Sequence, residues 1–527
     1  MVRRTDALRI LFASAEIAPW VKTGGLGDVT AALPPAVRSL GLDLRVLVPA
    51  YPALLKVFTN APVVAELTGL GGELPAAALR EATTAEGVPL LLLDCPALFD
   101  RPGNPYLDVD GRDWPDNALR FALLSRVAAL LGSAATPLAW RAQLIHCNDW
   151  QTALAPCYLH YGTENAENAE NGQRQAASLL TVHNLAFQGL FGGHLLGALG
   201  LPSHAWAIDG VEYHGHLSFL KGGLQFADWI TTVSPSYARE IQTTEEGMGL
   251  DGLLRWRSER LTGILNGIDT TAWNPQTDEH LATHYDIDHL SGKAANKAAL
   301  QKQCGLPVRA DVPLLGVVSR MTEQKGLDLL PPLAAEIAAL PAQLVVLGSG
   351  SRALEQAFLA MAKAHPEQIA VTIGFDEALS HQIEAGVDLF LMPSRFEPCG
   401  LNQMYSLRYG SPPLVRRTGG LGDTVVDATA AAMADGSANG FVFEQPDSTE
   451  LIQTLRRALA MWHTAEEWRG LQRSGMASDW GWAKPARRYA ALYQRLIDDS
   501  QTGLARILQE DSTAKTRKRI VKRLDKK

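Results

Sequence analysis

KTGGLGD at residues 22–28 returns as RTGGLGD at residues 417–423. A single Lys-to-Arg exchange separates the two seven-residue strings, so chance repetition is a poor explanation. Each copy follows an apolar, strand-like run, ILFASAEIAPW (10–20) and PPLVR (412–416). Each leads into a helix-like segment, DVTAALPPAVRSL (28–40) and DTVVDATAAAM (423–433). A glycine turn from strand to helix exposes backbone N–H groups at the positive end of the helix dipole, where anions and above all phosphates bind. Two such turns, one near each end of the chain, predict two similar α/β halves serving one anionic ligand.

Working outward, short apolar runs alternate with helix-length segments. The strand candidates are 8–17, 44–50, 88–94, 144–149, 178–184 and 229–234, then 313–320, 342–350, 368–375, 389–394 and 412–417. Near-continuously apolar strands separated by helices indicate parallel sheets covered on both faces. The prediction is therefore α/β, with two doubly wound, Rossmann-like domains. Ligands of such sheets lie beyond the carboxyl ends of the strands, and Lys22, Asp149, His183, Arg320, Phe375 and Glu397 fall there. The expected boundaries are 1–261 for the first domain, rejoined by a helix over about 478–500, and 262–477 for the second. A basic tail fills 501–527.

A length of 527 residues exceeds one core and agrees with two domains. A net charge of −8 argues against a general nucleic-acid binder. The tail KTRKRIVKRLDKK (515–527) is the exception, and reads as a solvated end. Five scattered cysteines form no disulfide framework or metal spacing, which fits a reducing compartment. No apolar run reaches the ~18 residues of a membrane span, so a cytoplasmic location is expected. The polar stretch TENAENAENGQRQ (163–175) reads as an exposed loop.

Four motifs carry chemistry. SRMTEQKGLDLL (319–330) places Arg320 and Lys325 across a strand-to-helix turn, where they can hold a diphosphate and stabilise it as a leaving group. In SRFEPCGL (394–401) the turn can expose Glu397 to sugar hydroxyls. It equally allows Glu397 to cap the next helix, and spacing leaves both readings open. TVHNLAFQG (181–189) and HCNDW (146–150) put His183, Asn184 and Asp149 at strand ends, in catalytic or merely structural roles. Cys399 reads as a turn-filling thiol. No HExxH, CxxC or GxSxG motif occurs, so neither a zinc site nor a serine hydrolase is indicated.

Taken together with NPYLDVDGRDWPDN (104–117) and ILNGID (264–269), these motifs appear in an order that resembles bacterial glycogen synthases and plant starch synthases, from about residue 8 to about residue 496. The resemblance implies a glycosyltransferase-B fold with an interdomain cleft. It implies glucose transfer from ADP-glucose to the non-reducing end of an α-1,4-glucan, with retention of configuration and without metal or other cofactor. It assigns Arg320 and Lys325 to the donor phosphates, Glu397 to the glucose hydroxyls and His183 to a place beside the anomeric carbon. Lys22, Gly24, Gly25, Tyr106, Asp149, Asn184, Asn266, Cys399, Gly400 and Leu401 would contact substrate. Gly419, Gly420 and Leu421 would offer amides to the distal phosphate, and Phe375 would stack on the adenine. Met248 stands where relatives carry an aromatic residue. Expected partners are ADP-glucose and glucan, not nucleic acid or membrane. The rivals are a UDP-glucose transferase and a silent glucan-binding protein.

Overall fold

The computed structural model describes residues 7–162, 175–500 and 502. The basic tail but for Thr502, and all of the 163–175 loop but Gln175, lie outside them. The chain divides into two compact units. The first is Met1–Thr231, Thr244–Thr262 and Ala483–Lys527; the second is Thr232–Thr243 and Gly263–Trp482.

The first unit carries β1 (Arg9–Ala13), β2 (Asp43–Pro49), β3 (Val63–Leu67), β4 (Ala77–Thr83), β5 (Pro89–Asp94), β6 (Leu144–Asn148) and β7 (Ala177–Val182). A small antiparallel sheet follows, of β8 (Leu190–Gly192), β9 (Glu212–Tyr213) and β10 (His216–Ser218). β11 (Trp229–Thr232) and β12 (Leu261–Gly263) complete the main sheet, whose order is β12-β11-β7-β6-β1-β2-β5-β4-β3. β1 pairs in parallel with both β2 and β6, so the strand order reverses there and opens a crevice beyond their carboxyl ends. Ile10–Ala13 and Leu144–Cys147 are fully buried, as strands covered on both faces require. A helix over 483–500 packs on this sheet: the buried His146 of β6 bonds Tyr493 Oη through Nδ1 (2.7 Å) and Thr181 Oγ1 through Nε2 (2.6 Å).

The second unit is simpler. β13 (Leu314–Val318), β14 (Gln343–Gly348), β15 (Ile369–Ile373), β16 (Leu389–Met392), β17 (Pro413–Arg416) and β18 (Phe441–Phe443) form a wholly parallel sheet of order β15-β14-β13-β16-β17-β18. Its reversal lies between β13 and β16. The α/β class with two doubly wound sheets is as the sequence predicts. Two elements differ. β3 and β4 add an antiparallel edge whose strands carry charge, VVAEL and AALREAT, as exposed edges do. And DTVVDATAAAM is no continuous helix. The helix Gly419–Thr424 stops at Val425, which turns extended, and Val426 donates its amide to Asn439 Oδ1 (2.8 Å) before a second helix, Ala430–Asp435. Two adjacent β-branched valines favour that extended break.

Trp273 ties the start of the second unit's Gly263–Trp482 segment to its helices. Its ring lies between His381 and Tyr405, 3.8 Å from each centroid and 11° from parallel. Tyr405 belongs to the helix Asn402–Arg408, so the stack also fixes that helix. Trp273→Ala should lower the unfolding free energy by about 3 kcal/mol, read from urea denaturation, with Trp273→Phe recovering part of the loss.

Candidate functional site

In the first unit the candidate side chains gather at the carboxyl ends of β1, β6 and β7. Asn148 closes β6; its Nδ2 donates to Ala13 O (3.0 Å), which leaves Oδ1 to accept from His183 Nε2 (2.9 Å). That network puts the ring proton on Nε2 and leaves Nδ1 bare. Burial drives the imidazole pKa down to about 3, so His183 is neutral at physiological pH. Asp149 follows with φ 54°, a conformation rare for a non-glycine residue. The strain has a use: Oδ1 accepts the amides of His183 (2.7 Å) and Asn184 (3.4 Å), fixing the exit of β7. Burial outweighs those two bonds and raises the Asp149 carboxyl to about 7, with the charge of Glu16 adding to the rise.

Glu16, which the sequence did not single out, is buried after β1 and accepts from Thr23 N–H (2.7 Å), Thr23 Oγ1 (2.6 Å) and Tyr106 Oη (2.5 Å). The helix Gly25–Arg38 then begins on Gly24 with no side-chain cap. Among the described residues, the amides of Gly24, Gly25, Leu26 and Gly27 find no acceptor. A Cβ on Gly24 would meet nothing within 4 Å. Lys22 sits beside this opening, on Asp28 (Nζ–Oδ1 2.8 Å). The first repeat thus leaves backbone donors open at a helix start, the geometry that anion binding requires.

The second repeat does not. Gly419 N–H donates to Glu240 Oε1 (2.7 Å), Gly420 N–H to the carbonyls of Glu397 and Pro398 (3.2 Å each), and Leu421 N–H to Thr418 O (3.0 Å). The expectation that Gly419, Gly420 and Leu421 present amides to a phosphate is therefore corrected. Their glycines serve close approach: a Cβ on Gly419 would lie 2.0 Å from Glu397 O, and one on Gly420 2.0 Å from Cys399 O. The open amides of this unit lie one turn away. Those of Gly400, Leu401, Asn402 and Gln403, at the start of the helix Asn402–Arg408, have no acceptor among the described residues.

The other predicted residues of this unit are placed as follows. Lys325 Nζ pairs with Glu397 Oε2 at 2.6 Å, and Ser394 Oγ donates to the same oxygen (3.1 Å). Glu397 is nearly buried and caps no helix, which removes the capping reading. Gly326, at φ 62°, lets the Lys325 turn pack within touch of Pro393 O. Arg320 is exposed and carries no ion pair among the described residues. Phe375 is 81% exposed at the end of β15. Asn266 is buried with Oδ1 unpartnered among the described residues. Burial raises the Cys399 thiol to about 12, so it is no nucleophile. Among the described residues no cluster of three His, Cys, Asp or Glu could hold a metal ion, and no helix is long and apolar enough to cross a membrane.

Two outcomes follow. An acid whose folded pKa is raised contributes stability that is full below its unfolded pKa of ~4 and lost as pH rises through about 7. Wild type should therefore lose roughly 3 kcal/mol relative to Asp149→Asn between pH 4 and pH 8, measured by urea unfolding. Lys325→Met leaves Glu397 as an unpaired buried carboxylate and should cost about 3 kcal/mol; adding Glu397→Gln should restore much of it, the sign of direct coupling in a double-mutant cycle.

Residues 9–256 match the family described as "Starch synthase catalytic domain", and residues 305–472 that described as "Glycosyl transferases group 1". The chain is 59% identical to a glycogen synthase of Dechloromonas aromatica, over 93% of this chain and 99% of that one. It is 53% identical to a glycogen synthase of Aromatoleum aromaticum, over 93% and 97%. Among solved structures, the catalytic domain of starch synthase IV from Arabidopsis thaliana, bound to ADP and acarbose, superposes with a TM-score of 0.82 at 33% identity, over 93% of this chain and all of that one. A sucrose-phosphate synthase from Thermosynechococcus elongatus, 16% identical with a TM-score of 0.56 over 93% of this chain and 100% of that one, shares the fold.

Proposed function

The chain belongs to the glycogen and starch synthase family of glycosyltransferases, and from that premise we propose that it moves glucose from ADP-glucose to the non-reducing end of an α-1,4-glucan with retention of configuration. The observation that carries the donor is the starch synthase relative, which holds ADP and acarbose and matches 93% of this chain. Arg320, Lys325 and the open amides of Gly400–Gln403 take the diphosphate, and Phe375 takes the adenine face. Glu397 receives the glucose hydroxyls. Its neighbours Cys399, Gly400 and Leu401 shape that turn, and Asn266 adds an amide. In the first unit Lys22, Gly24 and Gly25 supply positive charge and amides, while Tyr106, Asp149, His183 and Asn184 serve the reacting sugar and the acceptor.

The chemistry follows from what each group can do. A neutral His183 donates no net charge and acts through its ring dipole and hydrogen bonds. Departure of ADP is driven by the cation pair and the amides, which stabilise the growing phosphate charge. The acceptor hydroxyl attacks from the face that ADP leaves, and the departing phosphate oxygen takes its proton. No protein nucleophile is needed. Residues of this set act on a substrate pair, and a resident cofactor has no part in the scheme.

The test is incorporation of labelled glucose into glycogen from ADP-glucose and, in parallel, from UDP-glucose, with chelator present. Incorporation from ADP-glucose is expected, falling more than a hundredfold in kcat for Glu397→Ala. Preference for UDP-glucose would overturn the donor assignment. Glycogen binding without incorporation would replace the transferase with a silent glucan binder.

A further inference from the structure

We infer that Glu16 is a positioning residue for this transfer: its carboxylate clasps the first Thr–Gly–Gly turn and sets the direction of the Tyr106 hydroxyl. The inference rests on the glucosyl-transfer reading above and deepens it. It starts from a cost. Glu16 is 3% exposed and makes no ion pair among the described residues. A buried carboxylate without a counter-charge persists only where hydrogen bonds satisfy it. Three do, and all come from residues beside the open amides or from the aromatic loop: Thr23 N–H on Oε2, and the hydroxyls of Thr23 and Tyr106 on Oε1.

Direction follows from chemistry. An ionised carboxylate has lone pairs and no proton, so it can only accept. Tyr106 must then donate its single proton to Glu16. What remains on the phenol oxygen is lone pairs, so Tyr106 meets a ligand as an acceptor. Burial and the charge of Glu16 hold the phenol far above its usual ionisation range, so the proton stays. The ring is half-buried, near Phe121 and Trp150 (centroids 5.8 and 6.3 Å), and part of it still reaches solvent. A fixed acceptor of this kind suits a sugar hydroxyl acting as donor. The Thr23 contacts do a second job: they hold the residue immediately before Gly24, and with it the start of the helix Gly25–Arg38.

The second repeat supplies an independent instance. Glu240 Oε1 accepts Gly419 N–H at 2.7 Å, and Oε2 lies 3.4 Å from Thr418 Oγ1. Each Thr–Gly–Gly turn is thus gripped by a glutamate from outside the repeated phrase, through one backbone amide and the threonine hydroxyl. At the first turn the same carboxylate also accepts from a tyrosine, and so carries a direction to a ligand.

Glu16→Gln separates packing from direction. Its carbonyl oxygen can take the Thr23 amide in the place of Oε2. Its NH2 then faces both hydroxyls and forces them to accept, which turns the Tyr106 proton outward. Glu16→Gln, Tyr106→Phe and the double variant are assayed with ADP-glucose and glycogen beside wild type, with melting temperatures for each. Expected are a wild-type melting temperature for Glu16→Gln, a roughly tenfold loss in kcat/KM for each single variant, and no further loss in the double. Unchanged kcat/KM in Glu16→Gln, losses that multiply to about a hundredfold in the double variant, or a loss matched by a lowered melting temperature would each overturn the inference. Wild type that transfers no glucose would instead overturn the reading beneath it. The clasp is then judged without turnover, by hydrogen exchange at the Thr23 amide: at least tenfold faster exchange in Glu16→Ala supports it, and unchanged exchange removes it.

Discussion

A single carbonyl oxygen decides what the second Thr–Gly–Gly turn can be. Glu397 O sits where a Cβ on Gly419 would be, 2.0 Å away, and accepts the Gly420 amide. The turn that presents Glu397 and the turn 418–420 are therefore pressed backbone to backbone, and only glycine permits that approach. Everything at this end of the sheet follows from the contact. It fixes Glu397 where Lys325 can reach it, and it leaves the amides of 400–403, not those of 419–421, open at a helix start. The same TGGLGD letters at residues 23–28 have no such neighbour at Gly24. There Gly24 faces space, and the amides stay open among the described residues. Nearly identical local sequence yields open helix-start amides in one unit and a structural buttress in the other.

That contrast marks where the sequence is legible. Strands buried on both faces betray themselves by unbroken apolar runs, so the frame of both sheets could be read, with the residues at its strand ends. The antiparallel edge β3–β4 could not, because its solvated strands mix charge with apolar residues. Nor could β18, whose three residues are too few for a pattern. Arg320, Lys325, His183 and Asp149 were visible because charged or polar groups interrupt apolar strands at their ends. Glu16 does the same within SAEIAP, yet nothing in that string reveals Thr23 and Tyr106 as its partners. Glu240 ends a short helix and reads as a surface charge. Asn148 hides inside HCND. The contacts to Tyr106 and Gly419 span 90 and 179 residues of chain, which no local pattern encodes. The amide assignment failed for the same reason: a helix start is local, but whether its donors are free is not.

Burial, more than any one charge, sets the chemistry of the first unit. It neutralises His183, lifts Asp149 to about 7 and keeps Tyr106 protonated. These shifts share one origin, the removal of water from the ends of β1, β6 and β7, and each disfavours the charged form. Glu16 survives in that setting because three donors converge on it.

From this a constraint on mechanism emerges. Covalent catalysis needs a side chain that is anionic, unencumbered and close to the reacting carbon. Cys399 stays a thiol, with a pKa pushed to about 12. Glu397 is held by an ammonium at 2.6 Å and a serine hydroxyl, which lowers its nucleophilicity while leaving it able to accept sugar hydroxyls. Asp149 is tied to two amides, and Glu16 to three donors. Each carboxylate is already committed to orienting something. What these strand ends offer freely, among the described residues, is positive: the Arg320 guanidinium and two sets of unpaired amides. A reaction whose transition state develops negative charge on a leaving diphosphate draws on that inventory directly, and one that needs a protein nucleophile does not.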